Sequence, residues 1–95
     1  METKAIIVTT EHRGIFFGYV KPEADLTQRT ITLSNARLAV YWPSEVKGFM
    51  GLGVTGPLKG SRIGPRTPRI TLQDVNSIIE PTEEAIRAWE ADLWD

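Results

Sequence analysis

Residues 43–68 hold six of the eight glycines (Gly48, Gly51, Gly53, Gly56, Gly60, Gly64) and four of the six prolines (Pro43, Pro57, Pro65, Pro68). Proline removes a ladder donor and glycine carries an entropic penalty, so this stretch reads as a loop and regular structure is expected on either side. A structureless segment of that length is uncommon inside a 95-residue chain, which has room for one core and one domain, 1–95. When such a segment does occur it is usually functional. Val46, Phe49, Met50, Leu52 and Val54 give part of it apolar groups with which to pack.

The flanks read as short strands, within 5–42 and 69–80. Ala5–Thr10 and Gly14–Val20 are rich in β-branched and aromatic residues, and Glu11-His12-Arg13-Gly14 has the length of a hairpin loop. Ile31 and Leu33 alternate with threonines, Ser34-Asn35 reads as a turn, and Arg37–Trp42 resumes a strand that Pro43 ends. In that strand Arg37 and Tyr41 share a face opposite Leu38 and Val40, and they are expected on the open side of the sheet. Arg69–Leu72 and Val75–Ile79 are two further short strands. A helix over about 82–94 follows, capped by Thr82, with Glu83 and Glu84 in its first turn and Ile86, Trp89 and Leu93 on one face. The fold class expected is mostly β (α+β): a small five-stranded barrel or strongly bent antiparallel sheet with one C-terminal helix.

Composition bounds the chemistry. No cysteine is present, which excludes disulfides, thiolate catalysis and Cys-based zinc sites. One histidine is too few for a His-rich metal site, and no serine lies in a nucleophile elbow, so no enzyme, cofactor or metal is expected. No apolar run approaches the length of a membrane span, and the start is too polar for a signal peptide; a cytoplasmic setting is the expectation. The net charge of −1 hides an asymmetry. Residues 46–73 carry Lys47, Lys59, Arg62, Arg66 and Arg69 and no acid, whereas residues 74–95 carry seven acids against Arg87 alone. Such a division marks an interaction surface.

The run Thr55-Gly56-Pro57-Leu58-Lys59-Gly60-Ser61-Arg62-Ile63-Gly64-Pro65 is the strongest binding signal. Glycines let backbone N–H groups form an anion nest, Lys59 and Arg62 add charge, and Thr55 and Ser61 add hydroxyls. It lacks the Gly-Lys-Ser/Thr triplet of a Walker loop. Arg13 and Arg37 are further phosphate donors, Tyr41 offers a stacking face, and His12 and Lys47 are secondary candidates. The ligand-binding set is therefore Arg13, Arg37, Tyr41, Thr55, Lys59, Gly60, Ser61 and Arg62, for an anionic nucleotide-like molecule or nucleic acid. A protein partner, met through the acidic helix or the aromatic strand face, is the alternative. Exposed sheet edges in so small a domain lead us to expect a homo-oligomer.

Two resemblances add to this reading. The order Ile6–Thr10, Gly14–Val20, Ile31-Thr32-Leu33 with Asn35-Ala36, then Ile70–Val75 with Ile78-Ile79, resembles the Sm-like and SH3-like small barrels. It differs from the Sm pattern in placing its helix last. His12-Arg13-Gly14, Asn35-Ala36-Arg37, Tyr41-Trp42, Lys47-Gly48 and the run from Thr55 to Pro65 resemble a family of small uncharacterised phage and prophage proteins known as a domain of unknown function. That resemblance implies a non-enzymatic phage accessory protein acting in the host cytoplasm, such as a counter-defence factor. It also leaves room for a module that blocks a host or phage protein, or for a small structural or assembly component.

Overall fold

Ile6, Ile7 and Val8 are consecutive, apolar and fully buried, as a strand covered on both faces requires. In the computed structural model, which describes residues 3–11 and 14–91, they form the middle of β1 (Lys4–Thr10). β1 lies between β2 (Ile15–Val20) and β6 (Val75–Ile79), antiparallel to both. β2 pairs in turn with one edge of β3 (Ile31–Tyr41). The other edge of β3 is shared end to end by β4 (Arg62–Ile63) and β5 (Thr67–Leu72). Two short helices complete the structure, α1 (Gly48–Gly51) and α2 (Glu83–Glu90).

The sheet must curl. β5 and β6 stand on opposite edges, yet only Gln73 and Asp74 separate them in sequence. Four strand spacings of ~4.8 Å would put them roughly 19 Å apart in a flat sheet. The link spans three Cα steps, about 11 Å at most. Two backbone bonds hold it: Glu11 N–H donates to Asp74 O at 3.1 Å and Val75 N–H to Arg29 O at 3.0 Å. Curling creates two cores. Ile6, Val8, Leu33, Leu72 and Val75 fill the concave side. Ile7, Phe17, Ala39, Leu52 and Trp89 lie on the convex side, beneath α2 and the turn that follows α1.

Several expectations are corrected by this arrangement. The sheet has six strands rather than five, and it does not close into a barrel because β5 and β6 do not pair with each other. Residues 43–68 are not structureless: they contain a 3₁₀ turn at Ser44–Val46, α1, β4 and the start of β5. Among the described residues there are two α-helices, not one, and α2 ends at Glu90, where Ala91 turns to an extended ψ of 145°. Leu93 and Trp94 lie outside the described residues.

Ser34-Asn35 is not a turn either. Asn35 adopts φ 49° inside a continuous β3. Between the pairs Phe17–Arg37 and Tyr19–Ser34, β3 uses one residue more than β2. This bulge flips the pleat. Leu33 and Ala36 both enter the concave core, and Arg37 is turned beneath α2. The loop before β3 is ordered by Asp25, whose carboxylate accepts bonds from the Thr27 N–H (2.9 Å), the Thr27 hydroxyl (2.6 Å) and the Gln28 amide (3.1 Å). The Thr27 hydroxyl, then the Thr27 N–H, hold that carboxyl below its ordinary value. A carboxyl lowered by folding stabilises the fold above its unfolded value and loses that contribution as pH falls through the folded one. The turn at 25–28 is therefore expected to open first on acidification, seen as faster amide exchange at Thr27 with β1 to β3 unchanged.

Candidate functional site

The Gly/Pro-rich segment divides its residues between two tasks. Its first part is a platform for α2. The would-be Cβ of Gly51 would lie 1.5 Å from Val46 O, and that of Gly56, at φ +74°, 2.7 Å from the Ala88 methyl. Only glycine admits such approaches. Thr82 caps α2 by accepting from Ala85 N–H at 3.1 Å, while its own hydroxyl donates to Val54 O at 2.6 Å. The Trp89 indole N–H donates to Leu52 O at 3.1 Å. Gly56→Ala is accordingly expected to lower the melting temperature by some 8 °C or more, from left-handed strain and a helix pushed off its seat, each of order 1 kcal/mol. A melting temperature equal to that of the parent chain would contradict this role.

The second part forms a rim. Tyr41, 54% exposed at the end of β3, is the cross-strand partner of Arg62, the first residue of β4. Lys59 and Gly60 occupy the preceding turn, which Ser61 N–H closes onto Leu58 O at 2.9 Å. Gly60, at φ +99°, lies against the Pro43 ring with open space beyond it. The Ser61 hydroxyl is buried without a hydrogen-bond partner among the described residues. Lys47 is exposed at φ 69°, between the 3₁₀ turn and α1. Among the described residues Lys47, Lys59 and Arg62 enter no ion pair. Exposed cations without a counter-charge, beside an exposed aromatic ring, suit an anionic partner.

Of the residues expected to bind ligand, the structure brings Tyr41, Lys59, Gly60, Ser61 and Arg62 to this rim. Thr55 is elsewhere: it sits in the platform, and its hydroxyl donates to Gly51 O (3.2 Å) and Gly56 O (3.0 Å). Arg37 is also placed apart from them. Its side chain is 2% exposed, and its guanidinium donates to Gly64 O (3.0 Å), Trp89 O (3.2 Å) and Ala91 O (3.4 Å). The face predicted to be open is covered by α2 at Arg37 and Ala39, whereas Tyr41 is open as expected and Leu38 and Val40 are open as well. His12 and Arg13 lie outside the described residues.

Sequence reasoning places Trp42 in the core and overlooks Phe49 and Asn76 as binding residues; the three line a groove beside the rim. Phe49, the one aromatic ring in residues 43–68, was the available signal. Among the described residues no group of three His, Cys, Asp or Glu side chains is placed to hold a metal ion. No helix of the described residues is long and apolar enough to cross a membrane.

An open, curled antiparallel sheet, a capped helix on its convex face and a cationic rim unpaired among the described residues define a small, predominantly β domain. Its relatives are a matter of sequence. A family model described as Domain of unknown function (DUF6948) matches residues 3–89, and the chain belongs to that family. No curated protein and no solved structure matches it.

Proposed function

We propose that this chain is a non-enzymatic binding protein that engages an anionic ligand, a nucleotide or nucleic acid, at the β3–β4 rim. The pairing of exposed Tyr41 with Arg62, next to Lys59, carries the reading. It gives a base a ring to stack on and a phosphate two cations, with no acid anywhere in residues 46–73 to oppose them. The likeness to phage and prophage proteins extends this to an accessory role in a host cytoplasm, with sequestration of an immune nucleotide signal as the counter-defence form. Kinship with the Sm-like barrels belongs to the same reading. β1 lies between β2 and the last strand, and the sheet lacks one paired seam of closure. The outer edges of β5 and β6 give a second copy a place to add strands.

The test is calorimetry or native mass spectrometry with small nucleotides and short oligonucleotides. Lys59→Ala combined with Arg62→Ala is expected to abolish binding. Both side chains are exposed, so stability should stay within about 0.5 kcal/mol of the parent. Undiminished affinity in that variant would sink the assignment.

A second reading has its own observation. Met50 and Val54 are 62% and 58% exposed on and after α1, and Val40 is 59% exposed on β3. Apolar groups left in water suit a protein partner. That reading predicts capture of one protein that the Lys59 and Arg62 substitutions do not disturb and that Met50→Lys abolishes.

A further inference from the structure

A groove of about 490 Å³ lies where the β1–β6 pair meets the chain leaving β3, a size typical of small-ligand sites. Trp42, Phe49 and Ile15 supply its apolar lining. Phe49 is 40% exposed, and neither it nor Trp42 meets another aromatic ring among the described residues. Two rings thus face one space without filling it against each other. The polar lining is mostly committed. The hydroxyls of Thr9 and Ser77 bond each other at 2.5 Å. Thr10 accepts the Gly14 N–H at 3.1 Å. Glu11 is paired with Arg29 at 2.5 Å. Asn76 is the exception: its exposed amide makes no hydrogen bond among the described residues.

We propose that this groove binds the base of a nucleotide, with a planar heteroaromatic ring stacked on Trp42 or Phe49 and its edge read by the Asn76 amide. The inference rests on the nucleotide reading above and refines one part of it: the rim keeps the phosphate at Lys59 and Arg62, and of the aromatic surfaces along Tyr41-Trp42 the base takes this groove in place of the Tyr41 ring. An amide presents a donor and an acceptor side by side, which matches the paired donor and acceptor on a base edge. An aliphatic side chain in the same place would leave Asn76 covered and unpaired, a desolvation cost it cannot repay. Trp42 follows Tyr41 directly, so groove and rim adjoin along one chain segment. Lys47, exposed and unpaired among the described residues, precedes Phe49 by two positions and supplies charge for the phosphate.

The experiment is a ¹⁵N-resolved NMR titration of the full chain with adenosine monophosphate, with ribose 5-phosphate and with N-acetyl-leucinamide. The expected result is that adenosine monophosphate shifts the Trp42 indole and Asn76 amide signals and that ribose 5-phosphate does not. Phe49→Ala should weaken adenosine monophosphate about ten-fold, the loss of one stacking contact, without moving the melting temperature. If adenosine monophosphate perturbs Tyr41 and Arg62 while Trp42 and Asn76 stay still, the groove assignment is overturned and the rim reading stands. If only N-acetyl-leucinamide shifts Trp42 and Asn76, the groove is a peptide pocket and the base assignment is wrong. If neither phosphate-bearing probe moves any signal, both readings fail together.

Discussion

Trp89→Ala is expected to cost about 3–5 kcal/mol, the range for deleting a large buried aromatic side chain. Against a total of about 5–15 kcal/mol for a domain of ordinary stability, this brings the chain close to unfolding. Trp89 is fully buried and stacks on Phe17, with ring centroids 5.1 Å apart and planes 6° from parallel. Its indole N–H serves Leu52 O, so truncation opens a cavity and also orphans a carbonyl. Urea denaturation followed by circular dichroism reads the loss directly. Trp89→Phe separates the two contributions: it keeps a ring against Phe17 and leaves Leu52 O unserved, for an expected cost of about 1–3 kcal/mol. An unchanged urea midpoint for Trp89→Ala would show that α2 does not anchor the convex core.

Arg37→Ala is expected to cost about 3 kcal/mol and to leave ligand affinity intact, the reverse of the pattern expected for Arg62→Ala. Arg37 is a buried cation whose N–H groups serve the carbonyls of Gly64, Trp89 and Ala91. The Trp89 and Ala91 carbonyls are among those a helix end leaves without partners. Positive charge there also meets the negative end of the α2 dipole. Charge-assisted bonds of this kind are worth more than neutral ones, and removing the donor leaves buried acceptors unpaired. Thermal melts together with nucleotide titration of both variants decide the matter. Lost affinity at unchanged stability in Arg37→Ala would return that residue to the binding surface.

These two residues also show where sequence reasoning stops. Trp89 was legible as core because Ile86 and Trp89 repeat on one helical face, and such a pattern needs no knowledge of the rest of the chain. β1, β2 and the cap at Thr82 were legible for similar local reasons. Arg37 was not. Its expected alternation with Tyr41 is broken by a register irregularity between Ala39 and Tyr41, and which face α2 covers depends on a bulge at Asn35 and on where a helix some fifty residues later comes to rest. The Gly-rich run was readable as special and its composition drew attention to phosphate. What composition could not convey is that Gly51 and Gly56 are small so that a carbonyl and a helix can approach them. Only Lys59, Gly60, Ser61 and Arg62 of that run remain at the rim with Tyr41. The groove at Trp42 and Phe49 escaped notice because it also needs Asn76, which only the β1–β6 pairing brings near.

The place of β1 has a consequence for how the chain comes to be folded at all. Ile7 pairs with Phe17 on one side and with Ile79 on the other, so the central strand takes one neighbour from its own vicinity and one from far downstream. At roughly 5–20 residues per second, a ribosome makes the β1–β2 hairpin several seconds before β6 emerges. Through that interval the edge of Ile6, Ile7 and Val8 has no partner, and an apolar unpaired edge is a template for any other chain nearby. Pairing across such a distance is also slow, in the millisecond-to-second range common to sheets built from non-local contacts. A chain halted after β5 would keep that edge open indefinitely: the strand made last is the one that protects the strand made first.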